Sequence, residues 1–99
     1  MIRLLFAAFA LLALSLPLRG EAPLRIAVAS NFHHTLSEIV DVYQRSHPEI
    51  QIVLIPGSSG KLYAQISNGA AYDAFFSADS QRPLALEKAG IASAGTRFT

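Results

Sequence analysis

Three short stretches of this sequence carry residues suited to directed polar chemistry: Ala29-Ser30-Asn31, Gly57-Ser58-Ser59-Gly60 and Ser77-Ala78-Asp79. Each precedes a segment with helical patterning, so free backbone N–H groups and the positive end of a helix dipole face outward there. Such a constellation suits an anion. The hydroxyls of Ser30 and Ser59 and the amide of Asn31 add directed donors, and hydrogen bonds to a charged acceptor are about twice as strong as neutral ones. Gly57 and Gly60 let the backbone approach a ligand with no Cβ in the way. Ser, Asn and Asp are also the ordinary N-caps of helices, so three capped helices without a ligand fit the same pattern. On residue types alone both readings stand.

Other chemistries fit less well. Gly57-Ser58-Ser59-Gly60-Lys61 has the flavour of a phosphate loop, but Ile55 occupies the first glycine position and Leu62 follows the lysine where Ser or Thr is required. Lys61, in a first helical turn, reads as a solvated side chain. His33 and His34 are sequence neighbours without the i, i+4 spacing of paired metal ligands, and His47 is distant, so no metal site is expected. There is no Gly-x-Ser-x-Gly elbow to make Ser59 a nucleophile. Asp79 reads as a cap, Asp73 as a strand-edge residue, and Phe75 and Phe76 as core residues on opposite faces of one strand. The absence of cysteine excludes a disulfide framework, a thiolate zinc site and an acylated lipoprotein anchor.

The elements that must position these turns follow from periodicity. Residues 24–30, LRIAVAS, form an apolar run suited to a strand buried on both faces. Asn31 then offers a cap for a helix carrying Leu36, Ile39, Val40 and Tyr43 on one stripe and closing at Pro48. Residues 50–55, IQIVLI, make a second strand stopped by Pro56-Gly57. A second helix starts near Ser58 or Ser59, carries Leu62 and Ile66, and ends at Asn68-Gly69. Residues 73–78 form a third short strand, and Asp79 or Ser80 caps a third helix with Pro83 in its first turn and Gly90 past its end. This β-α-β-α-β-α order predicts an α/β fold with a parallel sheet and right-handed crossovers. In such sheets ligands bind outside the carboxyl ends of the strands, where all three polar turns lie.

Of the 99 residues 52% are hydrophobic, and the formal net charge is +1. The apolar excess is concentrated at the start. Met1-Ile2-Arg3 leads into an almost wholly apolar run over 4–16, then Pro17 and the small and polar Arg19-Gly20-Glu21-Ala22, so residues 1–22 are expected to be a cleaved secretory signal peptide. The run is too short for a spanning helix. Without Arg3, Arg19 and Glu21, the remainder holds six basic and six acidic residues, which argues against a nucleic-acid partner. Residues 92–99 reach no stop signal, and Arg97-Phe98-Thr99 reads as the start of a further strand.

The stretches LRIAVASNF at 24–32, PGSSGKLYAQISNGAAYDAFFSADSQRP at 56–83 and LEKAG at 86–90 together resemble the periplasmic molybdate-binding proteins, the soluble receptors of ABC-type oxyanion importers. The likeness runs through nearly all of residues 24–90 in order and spacing, and it favours the anion reading of the turns. It implies that residues 23–99 are an incomplete first lobe of a two-lobed type II periplasmic-binding-protein fold. It also implies an oxyanion held by hydroxyl and backbone N–H donors, with no metal cation and no cofactor. Carried over by position, the ligands are Ser30 and its neighbour Asn31 in the first turn, Ser59 in the second with Ser58 as a substitute, and the backbone N–H of Ala78 in the third. Ligands from a second lobe match no position here.

The implied function is non-enzymatic: a periplasmic receptor, monomeric when full length, that binds molybdate or tungstate and delivers it to an ABC permease in the inner membrane. A site of N–H and O–H donors alone favours a fully deprotonated dianion such as molybdate, tungstate or sulfate over monohydrogen phosphate, whose proton needs an acceptor. The alternatives are a receptor for another anion such as sulfate, and an exported α/β hydrolase using Ser59 as nucleophile with a His and an acid downstream.

Overall fold

The computed structural model describes residues 22–99. The signal peptide expected over 1–22 therefore lies, Ala22 apart, outside the described residues. The chain runs β1 (Leu24–Ala29), α1 (Ser30–Ser46), β2 (Ile52–Gly57), α2 (Ser59–Ser67), β3 (Ala74–Phe76) and α3 (Gln81–Lys88). The strands form one parallel sheet in the order β2-β1-β3, the α/β arrangement expected from the sequence.

Strand β1 is the middle strand, and its second half is buried: Ala27 and Val28 are wholly inaccessible and Ala29 nearly so. Alternation along the strand sends Ile26 and Val28 to one face and Ala27 and Ala29 to the other. On the first face α1 packs Leu36 and Val40, with Phe32, Ile52, Leu54 and Phe76 around them. Helix α2 lies against β1 and touches α3, with Leu62 and Leu86 buried. Leu62 lies directly against Gly57. The small Ala27 and Ala29 are what allow a helix to sit close over the central strand.

Four expectations need correction. Helix α1 starts at Ser30 with Ala29 at the cap position, so Asn31 is inside the helix and is not its cap. Its buried stripe is narrower than Leu36, Ile39, Val40 and Tyr43: Ile39 is 54% and Tyr43 43% exposed, because a three-stranded sheet is too narrow to cover both flanks of the helix. Strand β2 continues through Pro56 and Gly57, which pair with Val28 and Ala29. It is an edge strand, where a proline without an N–H is tolerated. Strand β3 is only three residues long. Its start is fixed by Asp73, whose N–H donates to the Arg25 carbonyl at 2.8 Å while its Oδ2 accepts from the Arg25 N–H at 2.8 Å.

Candidate functional site

The register sets the geometry. Ala29 pairs with Gly57, and Val28 with Phe76, so the turns after β1, β2 and β3 leave the same edge of the sheet at the same level. The first connection runs from β1 out to β2, and the second returns across β1 to β3 on the opposite face. The chain direction therefore switches between β1 and β3, where open α/β sheets make their binding crevices. A groove of about 720 Å³ beside β3 has Asn31, Ser77 and Ala78 in its lining, together with Phe76 and Phe98. Phe76 is flanked by Phe32 on one side and Phe98 on the other, with ring centroids 5.9 and 5.8 Å away.

Capping divides the polar residues into two groups. Ser58 is the cap of α2, its Oγ accepting from the Lys61 N–H at 3.2 Å. Ser80 holds the cap position of α3 without a side-chain cap hydrogen bond, and Asp79, one residue earlier, accepts from the Arg82 N–H at 2.8 Å. That backbone bond foremost, then the Arg82 guanidinium and the Ser77 hydroxyl, hold the Asp79 carboxyl below the usual aspartate range. Helix α1 has no side-chain cap hydrogen bond either. Ser30 and Asn31 occupy its first two positions and are exposed. Ser59, the first residue of α2, also stands apart from the capping pattern: its Oγ accepts from the N–H of Ala78, 19 residues on, at 2.9 Å. The hydroxyl thus reaches from the second turn to the third.

These contacts locate each expected site residue. Ser30 and Asn31 sit together at the mouth of the first turn, and Ser59 is joined to Ala78. Ser58 is occupied as a cap, and the Ala78 N–H expected to face an anion is directed to Ser59. Gly57 has an internal reason for lacking a side chain, and Gly60 has a weaker one, since its neighbour is the flexible end of Arg82. A Cβ at Gly57 would lie 3.2 Å from the Leu62 side chain, and one at Gly60 would lie 3.3 Å from the Arg82 guanidinium. Arg82, which the sequence reading passed over, is paired with Asp79 and packs over the start of α2. Its only signal in the sequence is its position three residues after Asp79.

Among the described residues, His34 and His47 are engaged with neighbours on α1. His34 pairs with Glu38 at 3.3 Å, and His47 stacks on Tyr43 with 4.1 Å between ring centroids. The partner of the Ser59 hydroxyl is a backbone amide. Among the described residues no group of three His, Cys, Asp or Glu side chains is placed to hold a metal ion. The donors at the starts of α1 and α2 are hydroxyls, one side-chain amide and first-turn N–H groups, a set matched to an anion's oxygens, while the guanidiniums nearby, Arg82 and Arg97, are paired with Asp79 and Glu87.

Comparison with known proteins gives a consistent picture. Residues 24–99 match the family described as bacterial extracellular solute-binding protein. The chain is 36% identical over 78 residues to the molybdate-binding protein ModA of Azotobacter vinelandii, which covers 79% of this chain and 31% of that protein. It is 36% identical over 73 residues to the ModA of Rhodobacter capsulatus, covering 74% and 29%. Among solved structures, the periplasmic molybdate-binding protein of Azotobacter vinelandii superposes with a TM-score of 0.74 at 42% identity, over 77% of this chain and 32% of that one. The chain spans about a third of the length of the curated relatives it matches.

Proposed function

The chain belongs to the bacterial extracellular solute-binding protein family, and from that premise we propose that it works as a periplasmic receptor for molybdate, or tungstate, that hands the oxyanion to an ABC permease. Residues 23–99 supply part of the first of two lobes, and the anion sits outside the carboxyl ends of β1 and β3. Ser30 and Ser59 donate their hydroxyl protons to it, and Asn31 its side-chain amide. The first N–H groups of α1 and α2 have no intrahelical acceptor and supply the rest. The role is binding and release through hinge closure, with no bond made or broken.

The observation that carries this reading is the sorting of the polar residues. Ser58 is consumed as the cap of α2 and Asp79 by the Arg82 N–H and guanidinium, whereas Ser30 and Asn31 stand at a helix start without a side-chain cap, and Ser59 is turned toward the third turn. The similarity to molybdate-binding proteins of two organisms supports the choice of anion. So does the chemistry: hydroxyl and N–H donors suit a dianion that carries no proton, and the Asp79 carboxylate in the third turn is taken up by Arg82.

Calorimetric titration of the full-length protein with molybdate, tungstate, sulfate and phosphate tests the proposal. Molybdate and tungstate are expected to bind at micromolar concentration or below and phosphate to give no heat. Ser30→Ala and Ser59→Ala should each weaken molybdate binding by about 10-fold or more, the worth of one hydrogen bond to a charged group. No molybdate binding at micromolar concentration refutes the assignment.

A further inference from the structure

Building on the oxyanion reading, we infer that Ala78 is a positioning residue whose backbone N–H orients the Ser59 hydroxyl and is not itself a ligand. A serine hydroxyl has one proton and two lone pairs and rotates freely unless something fixes it. Here the Ala78 N–H donates to Ser59 Oγ at 2.9 Å. The bond occupies a lone pair on the side of the third turn, so the proton is left for a partner on another side. Accepting a hydrogen bond also polarises the O–H and strengthens it as a donor. The Ala78 N–H is consumed in the same bond, which leaves it no proton for the anion.

The surroundings hold this arrangement in place. Ser59 is the first residue of α2, and the N–H groups of the next turn are satisfied by Ser58: Lys61 donates to its Oγ at 3.2 Å and Leu62 to its carbonyl at 3.0 Å. The helix start is therefore anchored without any call on the Ser59 hydroxyl. On the other side, the Asp79 N–H donates to Ser77 Oγ at 3.3 Å, and the Asp79 carboxylate is bound by Arg82. Ala78 thus lies in a turn pinned on its C-terminal flank by α3 and on its N-terminal flank by β3. Its N–H is a fixed point against which Ser59 is set. A hydroxyl ordered before the anion arrives loses less entropy on binding than one that must be ordered by it.

A thermodynamic cycle separates positioning from direct contact. In the full-length protein, lactic acid at position 78 replaces the amide by an ester, removing the N–H while keeping the methyl side chain, and this change is combined with Ser59→Ala. Molybdate affinity should fall about 3- to 10-fold on the ester change alone and about 10- to 100-fold for Ser59→Ala. The ester should have less than a 2-fold effect in the Ser59→Ala background, because its action runs through the missing hydroxyl. An ester penalty of the same size in both backgrounds would show that the Ala78 N–H meets the anion itself and overturn the inference; so would no penalty in the Ser59 protein.

A second measurement is independent of the ligand. Amide exchange of Ala78 in the anion-free protein should be slow, fast in Ser59→Ala, and slow again in Ser59→Thr, which keeps the acceptor. Equal rates in all three overturn the inference even if molybdate binds. Failure of the unmodified protein to bind molybdate sinks the proposed function, and the exchange rates then still decide whether Ala78 fixes Ser59.

Discussion

Gly57→Ala distinguishes a glycine kept for a ligand from one kept for the core. The added methyl would lie 3.2 Å from both Cγ and Cδ2 of Leu62, closer than ordinary van der Waals contact. Leu62 is 1% exposed, so its side chain is enclosed by protein. Gly57 has no positive φ, so alanine is conformationally admissible there, and the substitution gains about 0.4–1 kcal/mol by restricting the unfolded chain. Overpacking a tight core costs about 1–3 kcal/mol. The balance is a loss of roughly 0.5–2 kcal/mol. Leu62→Val trims one methylene at the point of collision, so the double variant should be more stable than the sum of the two single losses, by about 0.5 kcal/mol or more. Urea unfolding of the four proteins, with equal m-values as the check on a common mechanism, reads the balance directly. If Gly57→Ala is neutral or stabilising and strictly additive with Leu62→Val, the close contact is not what excludes a side chain. If it also lowers anion affinity, the glycine is there for the ligand.

Gly60→Ala should behave differently, because its new methyl meets only the end of the flexible Arg82 side chain and alanine is about 1 kcal/mol better than glycine inside a helix. A stability gain in urea is expected, and a loss comparable to that at Gly57 would refute the distinction. Asp79 has its pKa lowered in the folded state, so its contribution is present above the ordinary aspartate pKa and is lost as pH falls through the lower, folded value. Below about pH 4 the urea midpoint of Asp79→Asn should therefore fall less steeply with acid than that of the parent protein. Parallel curves would show that the Asp79 contacts contribute nothing to acid stability.

Much of this architecture was readable because the hydrophobic patterns are short and clean. LRIAVA could be recognised as a doubly buried strand because small and β-branched apolar residues alternate without a charge after Arg25. The helix boundaries near Ser59, Asn68 and Gly90 were marked by residue types whose backbone behaviour is distinctive. What periodicity misjudged depended on neighbours in space. Pro56 looked like the end of β2, yet an edge position makes a missing N–H harmless. Ile39 and Tyr43 fell on the helical stripe but found no strand beneath them. Residue types alone also left the roles of the three site serines, Ser30, Ser58 and Ser59, and of Asn31 undivided, since a serine that caps a helix and one that reaches across to another turn have the same local signature. The Ser59 to Ala78 bond could be inferred only after the sheet order brought those turns together.

The sheet order also makes β3 vulnerable, and this can be tested. Strand β3 has three residues and pairs only with β1 among the described residues. Two clamps outside the ladder fix it: the reciprocal Asp73 and Arg25 bonds at its start, and the Ser59 to Ala78 bond just past its end. Loosening either clamp should release the third turn without unfolding the core of Val28, Leu36 and Val40. Asp73→Ala removes the acceptor of the Arg25 N–H, but this group is near water, so the global loss is expected to be small, about 1 kcal/mol. Local exchange should respond more than global stability: the amides of residues 74–78, and of Ala27, which faces β3, should lose protection while those of Ile26 and Val28, which face β2, and of 36–40 keep theirs. If exchange rises uniformly, β3 unfolds with the rest and is no separate unit. If it rises only at 74–78 and Ala27, the third turn is held by its two clamps, and anion affinity becomes sensitive to a residue at the opposite end of the strand from the site.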